Sequence, residues 1–497
     1  MDDLFQKRIK LIFYMFILFF SIKAILVPWS FFRASYFGFH DFGLISNFLA
    51  NTAYGKLFFV DDNSLNHLSV HWTPTLILIT PFFRIFESQY VMIFFGNLFC
   101  CAGVIYFISY TLKVIIKSLN SKLLISLLSL FLIFQFFANK YLNKNFISGH
   151  FEIFFIAFSI ITLIMILENR KFYYILIPLF LALGVRQDMG LFLFFQILSL
   201  YFIPKKLNTI NDNSKKLIPL YLLICVIYVF LSLKIFMPLM GAAKDLRATD
   251  FWSQWGNTWG EIIVSVLSQP VLVLETVAKS GAPAFNENFL YLGIFNPIQW
   301  VCVQIPGLLL FLANDTDKNH LFWYNSSMLL PGIYLATFFG LLNLLNFIIK
   351  KQPNSINIIS GVIAIILFIF VIRMDRATNS PNYSYKTFEN ENNLENFNSV
   401  KKAIAQSCPY KTLITSADHQ SIVFLPNSAK RYLLKNYSKS EIVIVSHLNP
   451  SDFGSEAGYQ TFQKELKNIQ EDKKFNLLYK DMHYSVFYNK ERKVCRS

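Results

Sequence analysis

The sequence predicts an all-α polytopic membrane protein of about eleven transmembrane helices, followed by a small C-terminal α/β extracytoplasmic domain. Three observations predict it. Apolar residues make up 54% of the 497 positions, with 55 Phe and 24 Tyr, and charged residues only 15%, against roughly 25% in an average soluble protein. Those apolar residues fall in runs of nearly membrane-spanning length. The composition then turns polar after residue 372. A water-soluble chain cannot bury so much Phe, Ile and Leu, and a disordered chain would not contain it.

The first run, Leu11 to Phe32, follows Lys7, Arg8 and Lys10. It is too long for a signal peptide and has no small-residue cleavage site, so it reads as an uncleaved anchor. Further runs lie at 89–112, 123–138, 151–167, 172–186, 189–204, 217–236, 262–283, 289–312, 328–349 and 356–372. The runs at 172–186 and 189–204 are short, and the one at 262–283 is interrupted.

The formal net charge is +15, and its distribution sets an orientation. Short, densely basic loops carry Lys113, Lys117 and Lys122; Arg170 and Lys171; Lys205, Lys206, Lys215 and Lys216; Lys350 and Lys351. They read as inner loops. The longer segments 33–88, 138–150, 237–261 and 313–327 are sparser in Lys and Arg and read as outer loops. The N-terminus is therefore expected on the cytoplasmic side and residues 373–497 outside. No basic stripe suggests nucleic acid.

Residues 1–375 thus form the expected transmembrane domain, 376–397 a linker rich in Asn, Ser and Glu, and 398–497 a soluble domain. In the latter, 412–416 and 441–446 read as short buried strands, 458–470 as a helix, and 475–479 with 484–488 as a terminal hairpin. Of six Cys, none has metal-ligand spacing. Cys408 and Cys495 form a disulfide in an oxidising compartment or remain two thiols; sequence gives no distance to decide.

Four segments carry candidate chemistry, all on the expected outer side. Asp41 precedes Leu44, Ile45, Phe48 and Leu49, a spacing that fits an interfacial amphipathic helix. Asp41 is then either its N-cap or a carboxylate able to take a proton or ligate a divalent metal ion. His71-Trp-Thr-Pro74, with Pro81 following, predicts a second interfacial helix, because the apolar stretch between the prolines is too short to span. His71 is either a surface residue beside Trp72 or a site residue. His150-Phe-Glu152 and Arg186-Gln-Asp188 stand at span ends, where ionisable groups are costly and usually paired or functional. Arg186 and Asp188 either pair with each other or join His71, Glu152 and Asp41 in one polar pocket.

Taken together, His40-Asp41-Phe-Gly, Asn47, Gly55, His71-x-x-Pro74, Pro81, Gly149-His150-Phe and Arg186-Gln-Asp188 resemble a large family of prokaryotic multi-pass membrane proteins carrying a domain of unknown function. The resemblance covers residues 30–350. It is specific in the first 190 residues and looser at Asn314-Asp-x-x-x-x-His320 and Tyr324. One departure stands out: the family's Lys-Glu-Asp or similar is Arg-Gln-Asp here, which excludes Gln187 as an acid. The family in turn resembles the GT-C glycosyltransferases, such as the protein O-mannosyltransferases and aminoarabinose transferases.

The family resemblance implies a prokaryotic plasma (inner) membrane as the setting, and the second likeness implies a GT-C-like domain whose first outer loop carries two juxtamembrane helices. The second likeness also implies a glycosyltransferase that moves a sugar from a polyprenyl-phosphate donor in the lipid bilayer to an acceptor hydroxyl. Asp41 would act as general base or metal ligand, and Arg186 would hold the donor phosphate. Glu152 and Asp188 would complete the catalytic acids. His40, His71, His150, His320 and Tyr324 would bind substrate. Two other classes fit the composition: a transporter or flippase of a lipid-linked or small solute, and a non-catalytic membrane scaffold. No HExxH, P-loop or GxSxG motif is present.

Overall fold

A computed structural model describes residues 3–33, 42–62, 64–86, 88–119, 121–203, 212–241, 248–351, 356–378, 393–408, 414–418, 421–425, 429–447 and 456–492. The chain divides into two compact units. The first comprises Met1–Leu26, His71–Thr75 and Phe95–Ser384; the second comprises Val27–Val70, Leu76–Phe94 and Tyr385–Ser497.

The first unit is helical and is organised around Ile153–Leu167, here called the central helix. Every residue of it except Ile161 and Met165 is buried. A helix apolar on all sides belongs inside a protein or a membrane, and this one is inside the protein. Helix Val91–Ser118 packs against it through two glycines seven residues apart, hence on one face. A Cβ on Gly96 would lie 2.7 Å from Ile153, and one on Gly103 would lie 2.9 Å from the Ala157 Cα. Small residues let helix backbones approach closely where apolar transfer supplies no driving force between helices. Helices Phe172–Leu183, Met189–Ser199 and Leu330–Lys351 complete the surround.

The expected apolar runs form helices, Asp3–Arg33 and Ile356–Thr378 among them. Among the described residues, Val91–Ser118, Ser214–Leu239 and Leu330–Lys350 qualify as membrane spans by length and composition. The count rises to five if each of two bent pairs makes one span. The expected count of about eleven is not confirmed among the described residues, for physical reasons visible in the chain. Ile153–Leu167, Phe172–Leu183 and Met189–Phe202 are too short. The expected span at 262–283 breaks at Pro270, which lacks an amide proton; Trp259–Ser268 and Pro270–Lys279 meet there at 95°. The run at 289–312 is also divided, with Pro297 and Pro306 opening new turns.

The second unit joins part of the first loop to the C-terminal segment. Helix Leu44–Ala53 forms where the apolar stripe predicts it, but it is not amphipathic in its surroundings. Its polar Ser46, Asn47 and Asn51 are buried alongside Phe48 and Leu49. Asn47 and Asn51 hold the hairpin β1 (Phe59–Val60) and β2 (Leu65–Asn66). The Asn51 side-chain amide donates to the Phe59 carbonyl at 2.8 Å, and Asn47 exchanges two hydrogen bonds with Asp61. The second expected helix starts as a 3-10 turn at Pro74–Ile79 and continues as Thr80–Ile85.

The C-terminal part is a five-stranded sheet in the order β4-β3-β5-β7-β6. Strands β3 (Ile414–Ala417), β5 (Ile442–Ser446), β6 (Phe475–Lys480) and β7 (Tyr484–Asn489) fall where the sequence predicts them, as does helix Glu456–Glu471. Strand β4 (Lys430–Leu433), parallel to β3, and helix Asn393–Ser407, which starts inside the expected linker, are additions. Asp61 and Asp62 bind this sheet's edge: their carboxylates accept the amide protons of Arg431 (3.2 Å) and Leu433 (3.0 Å). Cys408 is disulfide-bonded, and Cys495 lies outside the described residues. Cys100, Cys101, Cys225 and Cys302 are free and buried.

Candidate functional site

The first unit brings ionisable side chains together at the N-terminal end of the central helix. Glu152 is the N-cap residue of that helix, so the helix dipole favours its negative charge. Its side chain is fully buried. One carboxylate oxygen meets His150 Nδ1; the other accepts from Arg186 Nη1 at 2.5 Å. Arg186 stands in the short turn between Phe172–Leu183 and Met189–Ser199, and this turn faces Glu152 because the two helices flank the central one.

The same guanidinium forks onto Asp188, with Nε to Oδ1 at 2.6 Å and Nη2 to Oδ2 at 2.7 Å. Nη2 also contacts Met328 Sδ at 3.1 Å. Burial alone would lower the Arg186 pKa, but the Asp188 carboxylate outweighs it and holds the guanidinium above its ordinary value. Burial would likewise raise Asp188, and the Arg186 charge and hydrogen bonds instead hold it below the ordinary carboxylate range. Asp188 is surrounded by protein, yet its side chain keeps 41% of its exposure. Of the two carboxylates, Asp188 is the one that solvent reaches.

His71 joins from the segment after the first loop. Gln187 positions it: the Gln187 Oε1 accepts the Trp72 amide proton at 3.1 Å, which turns Nε2 towards His71 Nδ1 at 3.4 Å. With the amide as donor, Nδ1 is the acceptor and the imidazole proton sits on Nε2. Burial, and then the Arg186 charge, push the His71 pKa down to about 4. The ring is therefore neutral at neutral pH. Thr75 fixes the segment further: its amide donates to the Gly184 carbonyl at 3.0 Å and its hydroxyl to the Leu181 carbonyl at 2.7 Å.

Tyr324 closes another side, its ring stacked on His150 at 3.6 Å between centroids. Lys318 lies within electrostatic range of Arg186 and Asp188, and burial lowers its pKa to about 8. Six residues singled out in the sequence thus converge: His71, His150, Glu152, Arg186, Asp188 and Tyr324. His320 does not join them. Its ring stacks on Phe322, and its backbone packs against Gly281. His40 and Asp41 lie outside the described residues.

Sequence reasoning missed Gln187 as a positioning residue and Lys318 as a cation of the cluster. Lys318 stands two positions before His320, inside a motif already singled out, so its place in that motif was the available signal. Gln187 carried none beyond its neighbours. Among the described residues, no group of three or more His, Cys, Asp or Glu is placed to hold a metal ion.

A family model described as "Predicted membrane protein (DUF2079)" matches residues 28–481, and the chain belongs to that family. No curated protein and no solved structure matches it.

Proposed function

From this membership in a family of predicted membrane proteins, we propose that the chain is a membrane-embedded glycosyltransferase of GT-C type. It takes a polyprenyl-phosphate-linked sugar as donor and passes the sugar to an acceptor hydroxyl at the outer face of the membrane. The observation that carries this reading is the convergence of His71, Glu152, Arg186 and Asp188, from three distant parts of the sequence, in one cluster.

Arg186 is already saturated by two carboxylates, so a donor phosphate must compete for it. Buried Glu152 is the fixed partner and exposed Asp188 the displaceable one. A phosphate fits the same guanidinium fork as a carboxylate. Displacement also removes the interaction that depresses the Asp188 pKa, so Asp188 becomes a stronger base as the donor binds. Neutral His71 then offers an Nε2 proton to a developing oxyanion or to a sugar hydroxyl, and Lys318 adds positive charge near the leaving phosphate. Asp41 keeps the role implied by resemblance, general base or ligand of a divalent ion, and His40 stands beside it.

The test is sugar transfer from lipid-linked donors by purified protein carrying Asp41→Asn, Asp188→Asn or Arg186→Lys. Loss of at least a hundredfold in turnover by a folded Asp188→Asn variant is expected. Full activity in that variant removes Asp188 from the chemistry, and full activity in Asp41→Asn removes Asp41. A second reading, movement of a lipid-linked or small solute, is favoured by the 95° break between Trp259–Ser268 and Pro270–Lys279, since broken helices occur in transporters. Uptake into proteoliposomes without covalent product would decide for it.

A further inference from the structure

The opposite end of the central helix carries a second concentration of charge. Val91–Ser118 ends with Lys113 and Lys117 in its final turns, the central helix ends at Glu168, and Phe172–Leu183 begins after Arg170 and Lys171. These ends border a cavity of about 660 Å³. Four cations line it, Lys113, Lys117, Arg170 and Lys171, against the single carboxylate of Glu168, so the excess is 4 − 1 = 3 positive charges.

Glu168 is fully engaged. It accepts from Tyr106 at 2.6 Å, from Lys113 at 3.1 Å, and from Arg170 Nε and Nη2 at 3.0 and 2.9 Å. It therefore fixes two of the cations and leaves the excess charge unanswered. Lys117 and Lys171 are exposed. No side chain caps the start of Phe172–Leu183, so the first amides of that helix and the positive end of its dipole add to the same field.

A second feature lies on the helix that follows Lys171. Tyr173, Ile177 and Phe180 are 53%, 61% and 48% exposed. Their i, i+4, i+7 spacing puts them on one face of Phe172–Leu183. An anion pocket and an exposed apolar stripe carried by the same segment match an amphiphile with a charged head.

We propose that this cavity binds the phosphate headgroup of an anionic phospholipid, with its acyl chains lying along the Tyr173–Ile177–Phe180 stripe. Ammonium and guanidinium groups hold phosphate oxygens, whether the phosphate is free or lipid-borne. The stripe is what selects the lipid, because a soluble anion makes no use of it. The site is independent of the polar cluster, which lies the length of the central helix away.

The experiment uses the full chain in phosphatidylcholine nanodiscs doped with phosphatidylglycerol, with retained lipids counted by native mass spectrometry. Phosphatidylglycerol should be retained in preference to phosphatidylcholine. Lys117→Gln/Lys171→Gln should weaken that retention roughly 25-fold, about fivefold per lysine, while melting as the wild type does, since both side chains are exposed. Inorganic phosphate at the same concentration as the lipid should not displace it. Equal retention of the two lipids, or unchanged retention in the double variant, overturns the proposal. Displacement by equimolar inorganic phosphate overturns the lipid assignment in favour of a free anion.

Discussion

Replacing Arg186 by Met tests whether the polar cluster is a buried ion-pair network or a loose set of surface charges. Glu152 is fully buried and Arg186 only 13% exposed at the side chain. Removing one partner of a buried pair costs about 3–5 kcal/mol, because the other charge is left without compensation. His150 still holds one Glu152 oxygen and Asp188 is exposed enough for water to replace Arg186, so the lower figure, ~3 kcal/mol, applies. Unfolding entropy is about 2.1 cal/mol/K per residue, hence about 0.6 kcal/mol/K for a unit of about 300 residues. The expected fall in Tm is therefore ~5 °C, read by tryptophan fluorescence on protein in detergent. Arg186→Lys keeps the charge but not the fork onto Asp188, and should fall about half as far. Arg186→Met/Glu152→Leu removes both charges and should return most of the loss, since apolar replacement of a buried pair is often close to neutral. A single variant that melts with the wild type, or a double variant that loses the sum of both singles, would refute the reasoning.

Three further outcomes are expected. His71 has its pKa depressed from 6.5 to about 4, so the unfolded chain takes up its proton first as pH falls. Stability contributed by the neutral ring is full above pH 6.5 and is lost between there and pH 4, by at most ~3 kcal/mol; melting curves at pH 7.5 and 5 should show it, and His71→Gln should reduce the difference. Gly103→Ala forces a methyl against the Ala157 backbone and should cost about 1–3 kcal/mol. Gly361→Ala meets nothing within 4 Å and should be neutral or stabilising by up to ~1 kcal/mol; equal melting shifts in the two would count against the packing argument. In the second unit, Asp61→Ala leaves the buried Asn47 side chain and Arg431 amide without their acceptor, a loss of about 2–4 kcal/mol. It should speed proteolysis of the C-terminal segment, and unchanged digestion would contradict it.

Periodicity and punctuation made most elements legible. The continuous β-branched run in Glu441–Ser446 and the aromatic and β-branched residues of Tyr484–Tyr488 are enough to locate β5 and β7, and the apolar run at 151–167 is enough to locate the central helix. Strand β4 escaped because Lys430-Arg431-Tyr432-Leu433 has no apolar alternation. It is a strand because β3 offers it a parallel edge and because Asp61 and Asp62 accept its amide protons. The number of crossings is not legible for a related reason. An apolar run reports that a segment avoids water, and not whether lipid or protein replaces the water. The central helix reads as a span and is enclosed by other helices. The convergence of His71 with Arg186-Gln-Asp188 was legible only as a pattern of ionisable groups at span ends. Which nitrogen of His71 carries the proton depends on the orientation of Gln187, which no sequence signal encodes.

The length of the central helix relates the two charged regions at its ends. Fifteen residues rise about 22 Å, against ~30 Å for a hydrocarbon core. If the basic cavity at Glu168, Arg170 and Lys171 lies at headgroup level, then Glu152 stops ~8 Å short of the opposite boundary. Glu152, Arg186 and Asp188 would then lie at hydrocarbon depth, where unpaired charge is costly. Their mutual saturation is what that depth requires: each Glu152 oxygen has a partner, and Arg186 bridges both carboxylates. Of these three, only Asp188 retains substantial exposure, so a charged ligand reaching the cluster meets Asp188 first and must exchange with it for Arg186. A headgroup bound at the basic end would fix the depth of the helix and, through it, the depth of the polar cluster. Lys117→Gln/Lys171→Gln should therefore leave the Arg186 network intact while loosening its register to the membrane. A depth-dependent quencher reading a fluorophore beside Asp188 would register that change.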